Sequence, residues 1–307
     1  MSNEEQKSRL KGIFSIVVTP FSADGAFDFN ALDENIERTI SLGYDGLLIG
    51  GTYGEFPVMT TVERAELFRR SMDAAQGRVP VMLCSASSDV RVARELTELA
   101  SSIGGFPMIT PPFVSETTDA QIASFFDEIT KSSKNGIVIY NAPGIGITLT
   151  PSLIERIADA PGVIGIKQGD LSPAVIDILA SKLRGRIRLF CASDLAFLGP
   201  MAAGFDGISS TNSCALPEII LKAFRAIERG DAKSAGELHR VWYPLRELAR
   251  RHGQPQTTKA AMNARAFKGG SVRAPLRDLD GEAKQQVVQA MAAIASSPAA
   301  ESKAHAA

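Results

Sequence analysis

Eight short runs of consecutive apolar residues, each followed by an amphipathic stretch, constrain the fold of this chain more than any other feature. The runs are Ile13 to Val18, Gly46 to Gly50, Val79 to Cys84, Phe106 to Thr110, Gly136 to Tyr140, Val163 to Lys167, Ile187 to Cys191 and Gly207 to Ser210. Most start about 20 to 35 residues after the one before, the repeat length of a strand–helix unit. A strand buried on both faces is apolar at consecutive rather than alternate positions, the signature of a parallel sheet covered by helices.

The intervening stretches read as helices. Phe29 to Leu42 carries Leu32, Ile36 and Ile40 at four-residue spacing, with Gly43 beyond its end. Val62 to Ala75 follows Thr60 and Thr61, with Glu63 in the first turn. Asp89 to Ala100, Asp119 to Lys131, Pro151 to Ala158, Pro173 to Leu183, Ala196 to Ala203 and Pro217 to Glu228 complete the set. The prolines at 151, 173 and 217 sit where a helix begins and a missing N–H is harmless. This alternation predicts an α/β fold, a (β/α)8 TIM barrel over residues 12–229. An open doubly wound sheet would need a glycine-rich phosphate turn after the first strand, and TPFSADGAFD stands there instead.

After Gly230 the strands stop. Asp231 to Arg251, Thr257 to Phe267 and Gly281 to Ala295 read as helices, a C-terminal helical appendage over 230–295. Residues 1–11 and 296–307 are expected to be disordered tails. The 33 basic and 34 acidic side chains nearly cancel, so charge gives no reason to expect nucleic acid or an anionic membrane as partner. No segment approaches the ~20 apolar residues of a membrane span, and the charged start lacks the apolar run of a secretory signal. Cys84, Cys191 and Cys214 lie far apart, as suits a reducing compartment and not a zinc framework. The expectation is a cytoplasmic protein.

Barrels of this kind carry their chemistry at the C-terminal ends of the strands. Lys167 ends the sixth run with no acid beside it before Asp170. Pointing into the barrel mouth it would be desolvated, its pKa lowered, and its neutral amine able to attack a ketone and form an imine. A solvated loop lysine is the plain alternative. Tyr140 ends the preceding run. Counting inward by twos gives Val138 and Gly136 below it, and Gly165 and Val163 below Lys167, small residues that let a core close under long side chains. Tyr140 is either a proton carrier beside the lysine or a core aromatic. The turn Gly50-Gly51-Thr52-Tyr53-Gly54 either offers backbone N–H groups to an anion or is simply a tight connection. Glu55 reads as a partner for backbone groups rather than a base. Ser193 and Asp194 are either substrate contacts or a helix cap before Ala196.

Together GGTYGE (50–55), YNAP (140–143) and GIKQGD (165–170) resemble the dihydrodipicolinate synthase and N-acetylneuraminate lyase family of class I aldolases, with IVVTPF (16–21) and GFDGISS (204–210) in register. The resemblance covers about residues 12–295. It implies an imine between Lys167 and a 2-oxo acid such as pyruvate, Tyr140 and Thr52 as a proton relay, and a carboxylate held by Gly51, Thr52 and Tyr53. It also implies a pocket lined by the Ile208 carbonyl, no cofactor or metal, and a homotetramer built as a dimer of dimers.

Three departures separate this chain from the synthases of that family. Ile145 stands where they place an arginine for the second substrate's carboxylate, and it cannot make a bidentate charged contact. Phe113 stands where many members have a relay tyrosine. Tyr53 replaces the usual threonine or serine. Lys167-Gln168 is closer to the sialic acid lyases. Phe56, Phe113, Ile145 and Ile147 suggest an apolar pocket, or else are packing residues. The chain therefore reads as an aldolase-type lyase of 2-oxo acids. The runner-up is a 2-keto-3-deoxy acid dehydratase or hydratase using the same imine. Lesser readings are a dihydrodipicolinate synthase, a non-catalytic keto-acid sensor and an unrelated metal enzyme, the last disfavoured by the lack of a His/Asp/Glu cluster at the strand ends.

Overall fold

The computed structural model describes residues 3–298. Its strands are β1 (Gly12–Ile16), β2 (Gly46–Ile49), β3 (Val81–Cys84), β4 (Phe106–Ile109), β5 (Ile137–Asn141), β6 (Val163–Gln168), β7 (Arg188–Cys191) and β8 (Gly207–Ser210). They pair in parallel in chain order, and β8 returns to β1, closing the barrel. An opening helix α1 (Asn3–Arg9) precedes them. Around the barrel run α2 (Phe29–Ser41), α3 (Thr61–Ala75), α4 (Val90–Ser102), α5 (Asp119–Thr130), α6 (Pro151–Ala158), α7 (Pro173–Leu183), α8 (Leu198–Ala202) and α9 (Pro217–Glu228). Then follow α10 (Ala232–Val241), α11 (Tyr243–His252), α12 (Gln254–Ala264) and α13 (Gly281–Ala295). The (β/α)8 barrel with C-terminal helices is thus the observed architecture.

Helix starts are fixed locally. Thr60 and Thr118 each form a capping box, the first with Glu63 and the second with Gln121, satisfying N–H groups that the first turn leaves over. The barrel interior packs aromatics against glycines. Phe14 and Phe190 meet edge to face with centroids 5.0 Å apart. A Cβ on Gly46 would come within 2.4 Å of the Phe14 ring, and one on Gly207 within 2.8 Å of the Phe190 ring. These glycines make room for rings at the axis.

Strand β6 departs from simple alternation in a way that aims the site. Ile137 pairs with Val163 and Val138 with Gly165, so Ile164 is an extra residue, a β-bulge. Val163 and Ile166 face the helices, while Ile164 packs into the barrel interior over Gly136. The bulge shifts the phase by one residue, so that Lys167 points inward beside Tyr140, its register partner. Counting inward by twos therefore holds down to Gly165 and fails at Val163.

Three other expectations need correction. Residues 1–11 are not a disordered tail throughout: α1 closes the N-terminal end of the barrel. Leu10 enters the inner core, Gln6 donates to Asn135 Oδ1 (3.2 Å), and Arg188 Nε donates to Lys7 O (2.9 Å). Asp231 to Arg251 is not one helix, because Pro244 is tolerated only in a first turn, and the chain restarts there as α11. Pro255 likewise begins α12 at Gln254 rather than at Thr257. Ser296 to Pro298 follow α13, and the rest of the 296–307 tail lies outside the described residues. No helix of the described residues is long and apolar enough to cross a membrane.

Candidate active site

A cavity of about 420 Å³ opens at the C-terminal end of the barrel. One side is formed by Thr52, Tyr53 and Tyr140, another by Ala142 to Ile145. Ser193 and Asp194 after β7, and Ser209, Thr211 and Asn212 at and after β8, form the far side. Lys167 lies below this wall at 2% exposure, with its Nζ on the face of the Tyr140 ring, 3.9 Å from the centroid. Among the described residues it has no ion pair. Burial lowers its pKa to about 8. The same burial pushes the Tyr140 phenol up to about 12, partly offset by the hydrogen bond between Tyr140 Oη and Thr52 Oγ1 at 3.0 Å. The site thus holds an amine near its titration point and a phenol that keeps its proton.

The β2 turn is built for close approach. Gly50 has φ +62°, a conformation in which a side chain is strained. Thr52–Gly54 forms one 3₁₀ turn whose bonds begin with Gly54 N–H to Gly51 O (2.9 Å), so the turn itself does not use the N–H groups of Thr52 and Tyr53. Glu55 follows with φ +63°, left-handed for a residue that is not glycine. Its Oε2 accepts the Arg273 N–H (2.9 Å), the backbone partnership expected of it. Its Oε1 pairs with Lys259 Nζ from α12 (2.5 Å), which also donates to Thr19 O (2.7 Å) and Ser271 O (2.6 Å). The C-terminal helices thereby pin the turn. Nothing in the sequence singled out Lys259, Arg246 or Gln254, although the last two line the cavity.

Of the residues expected to form the site, Thr52, Tyr53, Tyr140 and Ile145 meet around the cavity above Lys167, and Gly51 starts the turn. Two do not join them. Phe113 is 62% exposed, its N–H donating to Ser88 Oγ (2.8 Å), which donates back to Phe113 O (2.6 Å), so its loop leans outward. Ile208 is expected there through its backbone carbonyl and is not among the residues that line the cavity; its side chain faces the helices, because strand alternation turns its neighbour Ser209 inward. Phe56 packs against the inner-barrel cluster and Ile147 against the outer one, and neither lines the cavity, so Ile145 alone of the four apolar candidates does. Gln168 does not line the cavity. It accepts from Asn141 Nδ2 (3.1 Å) and donates to Asp170 O (2.8 Å), tying loops together outside the cavity. Asp194 is not the α8 cap, a place taken by Phe197; its carboxylate accepts from Ser210 Oγ (2.5 Å), Asn212 N (3.1 Å) and Asn212 Nδ2 (2.9 Å).

Comparison with known proteins agrees with this architecture. The family model described as the dihydrodipicolinate synthetase family matches residues 9–294. The 4-hydroxy-tetrahydrodipicolinate synthase of Sorangium cellulosum is 32% identical over 286 residues, covering 92% of this chain and 95% of its own. That of Kosmotoga olearia is 27% identical over 286 residues, covering 92% and 97%. A putative dihydrodipicolinate synthetase from Pseudomonas aeruginosa superposes with a TM-score of 0.88 at 24% identity, covering 93% of this chain and 99% of that one. CdNal from Clostridium difficile, solved in complex with mannosamine, gives 0.87 at 20% identity, covering 92% and 98%. The two structures share the fold; the family model and the Sorangium relative carry the assignment. The chain belongs to the dihydrodipicolinate synthetase family and is a lyase of the class I aldolase type.

Proposed function

We propose that the protein makes or breaks a carbon–carbon bond of a 2-oxo acid through an imine on Lys167, with pyruvate as the common three-carbon piece. The observation that carries this reading is a buried amine with pKa about 8 on the ring face of Tyr140, a cavity-lining phenol that is hydrogen-bonded to Thr52. The substrate carboxylate takes the Thr52 and Tyr53 N–H groups. The amine swings off the Tyr140 ring by side-chain torsion, adds to C2, and expels water as the imine forms. In cleavage, the Tyr140 phenolate, formed when its proton leaves with the water of imine formation, accepts the C4 hydroxyl proton with the help of Thr52 as the C3–C4 bond breaks. The protonated imine takes up the electron pair as an enamine, an aldehyde departs, C3 is reprotonated, and water releases pyruvate. Condensation runs the same steps in reverse.

The curated relatives are named as synthases, but Ile145 offers no cation where that reaction would need one, so we rank the synthase reading lower. Dehydration through the same imine is the second reading, and products separate the two: pyruvate with an aldehyde indicates cleavage, and a dehydrated keto acid indicates elimination. Borohydride reduction in the presence of pyruvate is expected to label the peptide containing Lys167. In Lys167→Ala the label and turnover are expected to vanish, a loss of at least about a thousandfold. Label elsewhere, or none, overturns the imine. We also propose the homotetramer, for which sedimentation velocity is the direct measurement.

A further inference from the structure

The far side of the cavity carries a cation that the imine chemistry leaves unused. Arg246 of α11 lines the wall, and one of its Nη1 hydrogens goes to Gln254 Oε1 on α12. Its Nε–H is buried without an acceptor, and among the described residues Arg246 forms no ion pair. Other arginines are neutralised by carboxylates, such as Arg188 by Asp206, Arg225 by Asp45 and Arg265 by Glu218. The guanidinium is held in place through Gln254 Nε2, which donates to Asn212 Oδ1 (3.3 Å) and Thr258 Oγ1 (3.0 Å). Asp194 also faces this region, but both of its oxygens already accept from Ser210 and Asn212. The Thr211 hydroxyl lines the same wall and makes no hydrogen bond to the described residues. A pre-positioned, under-satisfied guanidinium in a cavity of small-ligand size selects a planar anion able to take two donors at once.

We propose that Arg246 is a specificity residue and that the substrate is a 2-oxo acid carrying a second carboxylate at its far end. The cation missing at Ile145 enters instead from the C-terminal helices. This inference rests on the imine reading above and deepens it. A far carboxylate exchanging hydrogen bonds with water for bonds to a guanidinium gains about ten- to a hundredfold in binding.

Three probes test it in the borohydride-labelling assay on the full chain: pyruvate, 2-oxoglutarate, and 2-oxopentanoate, which has the same chain length without the second carboxylate. In the wild type, half-saturation for labelling Lys167 is expected at least tenfold lower with 2-oxoglutarate than with 2-oxopentanoate. Arg246→Met is expected to erase that ratio and Arg246→Lys to restore part of it, which a merely structural arginine would not do. Equal half-saturation for the two acids in the wild type, alongside labelling by pyruvate, overturns the distal carboxylate while leaving the imine standing. A ratio that survives in Arg246→Met also overturns it. Absence of label with all three acids removes both readings. The wild-type ratio decides the matter even if the methionine variant does not fold.

Discussion

Lys167 and Lys259 are 2% and 1% exposed, and burial lowers the pKa of both. Each lies over an aromatic ring, Tyr140 for Lys167 and Phe21 for Lys259, but their polar partners differ. Lys259 has the carboxylate of Glu55 and two backbone carbonyls, an acceptor for each of its three N–H bonds. Lys167 has the Tyr140 ring face and no carboxylate. A buried ammonium with a full set of acceptors keeps its proton and fastens the chain. One without them is destabilised in its charged form and gives the proton up near neutral pH. The fold thus contains a structural lysine and a reactive lysine, and the structural one holds the turn that faces the reactive one.

The comparison breaks most visibly if the fastening lysine proves dispensable. Lys259→Met leaves the Glu55 carboxylate buried without its cation, which is expected to destabilise the protein by about 3–5 kcal/mol. Chemical denaturation measures this, and a change under 1 kcal/mol would show that the pair contributes nothing. Replacing both partners, in Lys259→Met with Glu55→Leu, is expected to recover part of the loss by removing the stranded charge as well.

Lys167 predicts the opposite sign. Its pKa falls from 10.5 in the unfolded chain to about 8 in the folded one. Below pH 8 both states are protonated, and the folded state bears the whole cost of burying the charge, about 3 kcal/mol at 1.36 kcal/mol per unit. Between pH 8 and 10.5 the folded state releases its proton first, so stability rises with pH, and above 10.5 the penalty is gone. Lys167→Met is therefore expected to be inactive yet more stable than wild type by up to about 3 kcal/mol at pH 7, with the gain fading toward pH 10.5. Urea denaturation of both proteins at pH 7 and pH 10 measures the difference, in which other titrating groups cancel. A destabilised Lys167→Met at pH 7 would mean that the packing of the lysine stem on Tyr140 outweighs the charge.

Much of this contrast was visible from one side only. The strands could be read because burial on both faces leaves unbroken apolar runs, and Lys167 could be read because it interrupts one at its C-terminal end. The bulge at Ile164 could not, since an isoleucine in an apolar run carries no mark of being the extra residue. Helix α1 was missed because a seven-residue charged segment has no apolar periodicity to display. Lys259, Arg246 and Gln254 were missed for a different reason. They lie 79 or more residues beyond Lys167, on helices whose patterns report their core faces and say nothing about which polar residue turns toward the barrel mouth.

The finest test of the contrast is the pH dependence of imine formation, sampled by borohydride quenching at subsaturating pyruvate. With a pKa of about 8, roughly a tenth of the Lys167 amine is neutral at pH 7, half at pH 8 and nine-tenths at pH 9. The rate is therefore expected to rise about tenfold from pH 7 to pH 9 and then level off. Tyr140, pushed up to about 12, keeps its proton throughout, so no decline is expected below pH 11. A lysine with the ordinary pKa of 10.5 would show no plateau at pH 9 and would still gain about eightfold from pH 9 to pH 10. A profile still climbing at pH 10 would thus show that Lys167 is solvated before substrate arrives, and the distinction between the two buried lysines would fail at the reactive one.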